Sequence, residues 1–147
     1  MKIIEALKSV RDETLPFFDL PEIELLKSYA PGKWTVQELL NHITDAETVL
    51  YERIRRTISK PGQVIWGFDQ DAWSTGLEYK KVPVRLSKPI YVAVREAVIF
   101  YAEKYYEKLG HHEFVHSETG KRTLKDEFDK VAWHNEHHLL QIKKALS

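Results

Sequence analysis

Apolar residues recur at three- and four-residue spacings along most of the chain, the period of helices that bury one face. Residues 2–14 place Ile3, Ile4, Leu7 and Val10 on one stripe. The Leu15-Pro16 step ends or kinks that helix. A short second piece, from about Pro21 to Tyr29, opens on a proline suited to a first helical position and carries Ile23, Leu25 and Leu26. Ala30-Pro31-Gly32-Lys33 reads as a turn. The clearest helix follows. Thr35 with Glu38 makes a capping box, and Leu39, Ile43, Ala46, Leu50, Ile54 and Thr57 continue the stripe until Pro61-Gly62.

Residues 61–87 hold glycines, prolines and two tryptophans without a sustained period. They read as a long connection, of a length that is usually functional or packed over a site. Ser87 is the expected cap of the third main helix, with Pro89 near its first turn. Ile90, Val94, Val98, Tyr101 and Tyr105 form its seam, and Gly110 stops it after about Leu109. Residues 111–122 are a polar second connection. Thr123, with Asp126 three residues on, caps a last helix whose seam is Leu124, Phe128, Val131, His138, Ile142 and Ala145. Only Val82 to Leu86 alternates as a strand would. The pattern predicts an all-α four-helix bundle with a long loop between the second and third main helices, in a single domain spanning residues 1–147.

Composition narrows the chemistry. The 22 basic and 22 acidic residues cancel, so no polyanion partner is implied and nucleic acid is not expected. Absence of cysteine removes disulfides, thiolate metal sites and thiol nucleophiles. The N-terminal residues lack the apolar run of a signal peptide, and no stretch is long enough to span a membrane, so a cytoplasmic protein is expected. Histidine is the unusual term: of seven, three fall in 111–116 and three in 134–138. Metal chemistry here would have to run on imidazole and carboxylate.

Two histidines four residues apart on a helix point the same way and can share an ion. With Leu124 as zero and about 100° per residue, His138 falls about 40° and His134 about 80° to one side of the seam, while His137 falls about 140° away. His134 and His138 therefore face inward and His137 faces out. On the second main helix His42 lies about 60° from Leu39, at the same kind of inward edge. Ala46, one turn on, leaves space beside it. Each buried imidazole needs partners for two nitrogens, and one metal ion would satisfy a nitrogen on all three. All-imidazole sites suit zinc, nickel, copper or iron. Asp45 is the first candidate for a nearby proton acceptor, followed by Asp69 and Asp71 on the long loop. Trp34, Trp66 and Trp73 could wall a substrate pocket.

Gly32-Lys33-Trp34-Thr35, Leu39-Leu40-Asn41-His42-Ile43-Thr44-Asp45-Ala46-Glu47 and Val131-Ala132-Trp133-His134-Asn135-Glu136-His137-His138 with Gln141-Ile142 resemble, in order, motifs of the DinB-like superfamily. Phe68-Asp69-Gln70-Asp71-Ala72-Trp73 resembles the loop of its YfiT-like branch. The resemblance implies a four-helix bundle whose His42, His134 and His138 bind one divalent metal, zinc or nickel. It implies a homodimer acting on a small-molecule substrate, as a hydrolase or as a thiol S-transferase using a low-molecular-weight thiol. Asp45 would be catalytic, and Asp69, Asp71 and Trp73 would contact substrate. The alternative is a non-catalytic metal-binding stress-response or interaction module.

Overall fold

A computed structural model describes all residues 1–147. Helix α1 (Lys2–Thr14) runs into a 3-10 turn (Leu15–Asp19) with Pro16 at its start, and a single turn of helix, α2 (Glu22–Leu25), follows. Next come α3 (Val36–Ser59), β1 (Val64–Ile65), α4 (Gln70–Gly76) and α5 (Val84–Tyr105). A hairpin, β2 (Glu113–His116) with β3 (Gly120–Thr123), leads into α6 (Leu124–Leu146). The four long helices form the bundle. Helices α3 and α1 each pack against both α5 and α6 and so lie on opposite corners. Both expected capping boxes are present, Thr35 with Glu38 and Thr123 with Asp126.

Several boundaries differ from the sequence reading. Helix α5 begins at Val84 behind Pro83, so the proposed strand at 82–86 is helix entry. Ser87 is not the cap: it is buried in the first turns of α5, where its hydroxyl donates to Asn41 Oδ1 at 2.6 Å. Pro89 consequently lies inside the helix. Regular α5 ends at Tyr105, four residues early, although Leu109 N–H still bonds the Tyr105 carbonyl. The piece from 21 to 29 is helical only over Glu22–Leu25. Neither connection is plain loop. Residues 113–123 form the hairpin, and β1 joins it in parallel with Val64 opposite Val115, giving the order β1-β2-β3. This small sheet ties the α3–α5 connection to the α5–α6 connection.

The core is split. One apolar cluster holds Leu7, Leu50, Ile54, Val98, Phe128 and Val131. The other holds Phe18, Leu39, Ile43, Val84, Tyr91 and Ile142. Between them, each long helix contributes a polar residue: Thr14, Glu47, Arg95 and Asn135. Arg95, fully buried, donates from Nε to Glu47 Oε1 (2.9 Å), from Nη1 to the Leu7 carbonyl (2.7 Å) and from Nη2 to Asn135 Oδ1 (2.7 Å). Asn135 Nδ2 donates in turn to Thr14 Oγ1 at 3.0 Å. Burial pushes the Glu47 carboxyl pKa up against the opposing pull of Arg95. A buried ion pair of this kind needs its remaining donors and acceptors met, and four helices meet most of them here.

Candidate metal centre

The metal question turns on where α3 and α6 meet. His42 is fully buried on α3, and His138 is nearly so on α6 with His134 one turn before it. One ligand nitrogen from each lies within 4.8 Å of the others. His42 Nε2 and His134 Nε2 face each other at 2.9 Å. Two such nitrogens can share at most one proton, and the third ring brings a further lone pair to the same place.

The outer nitrogens are informative. His138 Nδ1 stands 2.7 Å from Gln141 Oε1, a carbonyl oxygen that only accepts. The imidazole is therefore the donor, and its Nε2 keeps a lone pair directed at the other rings. His42 Nδ1 is buried without a partner. Burial, with repulsion from His138, lowers the His42 pKa to about 3. Burial, then His138, His42, Lys130 and His137, lowers that of His134 to about 2. Burial lowers His138 as well, with Gln141 opposing. All three rings are thus neutral at ordinary pH, the form that ligates. Three neutral nitrogens converging from two helices fit a divalent transition-metal ion.

Aromatic rings surround the trio. Trp34 lies 4.8 Å from His42 and 6.4 Å from His138 between ring centres, and Phe68 stacks on His42 at 6.2 Å. Trp73 meets the Phe68 ring edge-on at 5.0 Å. A cleft of about 380 Å³, lined by Lys33, Trp34, Gln70, Asp71 and Gln141, opens at His138.

The other candidates separate. Asp45 Oδ2 accepts from the buried Tyr79 hydroxyl at 2.6 Å. Burial raises the Asp45 pKa, and the tyrosine bond partly offsets this. Asp45 is outside the nitrogen cluster itself. Asp69 caps α4, accepting from the backbone N–H groups of Asp71 and Ala72 at 3.1 Å each, so its carboxylate is engaged locally. Asp71 lines the cleft, and Trp73 meets Phe68, which stacks on His42. His137 faces outward as expected, stacked on exposed Trp133 at 5.3 Å. In the 111–116 group, His111 is exposed but His116 is buried in β2, contrary to the expectation of exposed loop residues. Sequence reading gave no site role to Phe68, Tyr79 or Gln141, although Phe68 and Gln141 stand in the DinB-like motifs. Gln141 also carried a spacing signal, its place one turn after His138.

Residues 6–142 match the DinB superfamily. The chain belongs to this superfamily. Among similar proteins, one of Oceanobacillus iheyensis named "Putative metal-dependent hydrolase" is 30% identical over 147 residues, covering 100% of this chain and 83% of that one. A protein of the same description from Halalkalibacterium halodurans is 24% identical over 127 residues, 86% of this chain and 74% of its own. Among solved structures, YfiT from Bacillus subtilis superposes with a TM-score of 0.89 at 21% identity, over 98% of this chain and 83% of that one. Its structure is described as "a probable metal-dependent hydrolase with an unusual four-helix bundle topology". The all-α DinB bundle is therefore the fold of this chain. No helix of this DinB protein is long and apolar enough to cross a membrane.

Proposed function

We propose that this DinB protein is a metal-dependent hydrolase of small molecules, with His42, His134 and His138 holding one zinc or nickel ion. The reading is carried by one observation: three neutral imidazoles from two helices converge within 4.8 Å. A divalent ion held there supplies Lewis acidity and makes water easier to deprotonate. Three neutral side chains would hold such an ion without cancelling its positive charge. Asp45 takes the proton from the attacking water and returns it to the leaving group as the scissile bond breaks. Burial keeps its basicity above that of a solvated carboxylate, and Tyr79 fixes its orientation. Trp34 and Phe68 exclude bulk water from the trio, and the cleft beside Asp71 opens at His138.

Element analysis of the untagged protein, with turnover on ester and amide panels, tests this. Hydrolysis that requires the metal and Asp45 supports it. Consumption of a low-molecular-weight thiol with monochlorobimane, without hydrolysis, would point to thiol transfer. Retained metal with no turnover of either kind would leave a binding module.

A further inference from the structure

A second cleft, of about 410 Å³, lies along α3 beyond the metal trio, lined by Val49, Arg53, Trp66, Phe68 and Trp73. It shares the Phe68 ring with the trio, since Phe68 stacks on His42. Arg53 follows His42 on the same face of α3, about 16 Å along the axis, and its side chain leans back toward the helix start. Trp66 and Trp73 stand on the connection that carries Phe68.

Arg53 is 3% exposed, and its hydrogen bonding is incomplete. Nη2 reaches the Trp66 carbonyl only at 3.4 Å, Nη1 is 3.7 Å from Glu127 Oε2, and Nε has no partner. Glu127 is itself held by Arg122 Nε at 3.0 Å. Its other oxygen, Oε2, faces Arg53 at 3.7 Å and forms no hydrogen bond, so neither buried charge is fully met by the other. Burial lowers the pKa of Lys130, one turn before His134 on α6, with Glu127 opposing and Arg53 and Arg122 adding to the shift. The other charges on the cleft, Glu52 and Arg56, pair with each other. A buried arginine short of hydrogen-bond partners is costly to keep, and a carboxylate matches its planar donor fork. Glu118 flanks Gly67 at the rim, which disfavours ligands with several negative charges.

We propose that this cleft binds the single carboxylate of an aromatic or apolar substrate, with Arg53 as its counter-ion and Trp66, Phe68 and Trp73 holding the uncharged body. The substrate class is then a monoanionic acyl compound, such as an acylated amino acid, reaching from Arg53 to the Phe68 ring that stacks on His42. This rests on the hydrolase reading for where reaction occurs; the binding itself does not require the metal.

The probes are N-acetyl-L-phenylalanine and its neutral carboxamide, titrated into the full-length protein. The indole N–H signals of its four tryptophans are followed by NMR. The acid is expected to shift Trp66 and Trp73 saturably, and the amide is not. Arg53→Gln is expected to weaken the acid about tenfold and leave the amide response unchanged. Where that variant fails to fold, the wild-type comparison of acid with amide decides. Equal responses to both probes, shifts confined to Trp34 or Trp133, or no response would overturn the inference. In His134→Ala the acid should still move Trp66 and Trp73. Loss of that response would place the carboxylate at the trio and overturn the inference, while the metal content of the same variant reports on the metal reading separately.

Discussion

Gln141 Oε1 accepts a hydrogen bond from His138 Nδ1 across 2.7 Å, one turn apart on α6. This contact fixes which imidazole nitrogen faces His42 and His134. Gln141→Leu removes it without touching a ligand. Metal affinity is expected to fall by about tenfold to a hundredfold, as for other groups that orient metal-binding histidines. Competition against a chromogenic chelator measures it, and an unchanged affinity would show that the tautomer is set some other way.

Asp45→Asn keeps the size of the side chain and removes its basicity. The expected result is an unchanged metal content, with turnover reduced by about a hundredfold or more. Tyr79→Phe, which removes the hydroxyl that holds Asp45, should cost less. Steady-state rates alongside element analysis separate the two effects. Equal activity in wild type and Asp45→Asn would remove Asp45 from the chemistry.

Acid should weaken the metal-free protein through the same trio. Burial, with repulsion among the rings, lowers His42 to about 3 and His134 to about 2 in the fold, below the ordinary 6.5 of the unfolded chain. As pH falls below about 6.5 the unfolded chain takes up protons that the fold refuses, so stability is complete above that pH and declines toward the folded values. Urea midpoints measured in chelator should be level above about pH 7 and drop between about pH 6.5 and 5, ahead of most carboxylates. In His42→Phe the drop should be shallower. A midpoint that rises on acidification would contradict the neutral trio.

Much of this was legible in advance for a plain reason. The helices are long, so Leu39 to Thr57 and Leu124 to Ala145 repeat their period often enough to be read, and the same wheel turned His137 outward and His134 and His138 inward. The sheet was not legible. Its strands are two to four residues long, and β1 finds its partner about fifty positions away, beyond any local period. The start of α5 misled because Ser87 before Pro89 imitates a cap, whereas Asn41 on another helix claims that hydroxyl. Arg53, Glu47 and Arg95 look like surface residues in the sequence. Their burial depends on partners from other helices, which periodicity does not reveal.

Arg95→Met should be among the most damaging substitutions in the chain. It leaves the Glu47 carboxylate buried and uncompensated, at a cost of about 3–5 kcal/mol. The double variant Arg95→Met with Glu47→Leu should recover most of that. Urea denaturation of wild type, both single variants and the double variant closes the cycle. A double variant as unstable as the first single one would show that the hydrogen bonds to Asn135 and Leu7, not the charge pairing, carry the effect.

The polar layer also acts as a key for the bundle. Oily surfaces alone let neighbouring helices slide by a turn at modest penalty, but here such a slip would strand a charge against leucines. Asn135 is the direct neighbour of His134, and Glu47 stands little more than a turn beyond His42. The alignment that mates Arg95 with its partners therefore also levels the imidazoles with one another. The two greasy compartments tolerate exchange among apolar side chains of similar volume, so long as the notch between them is kept.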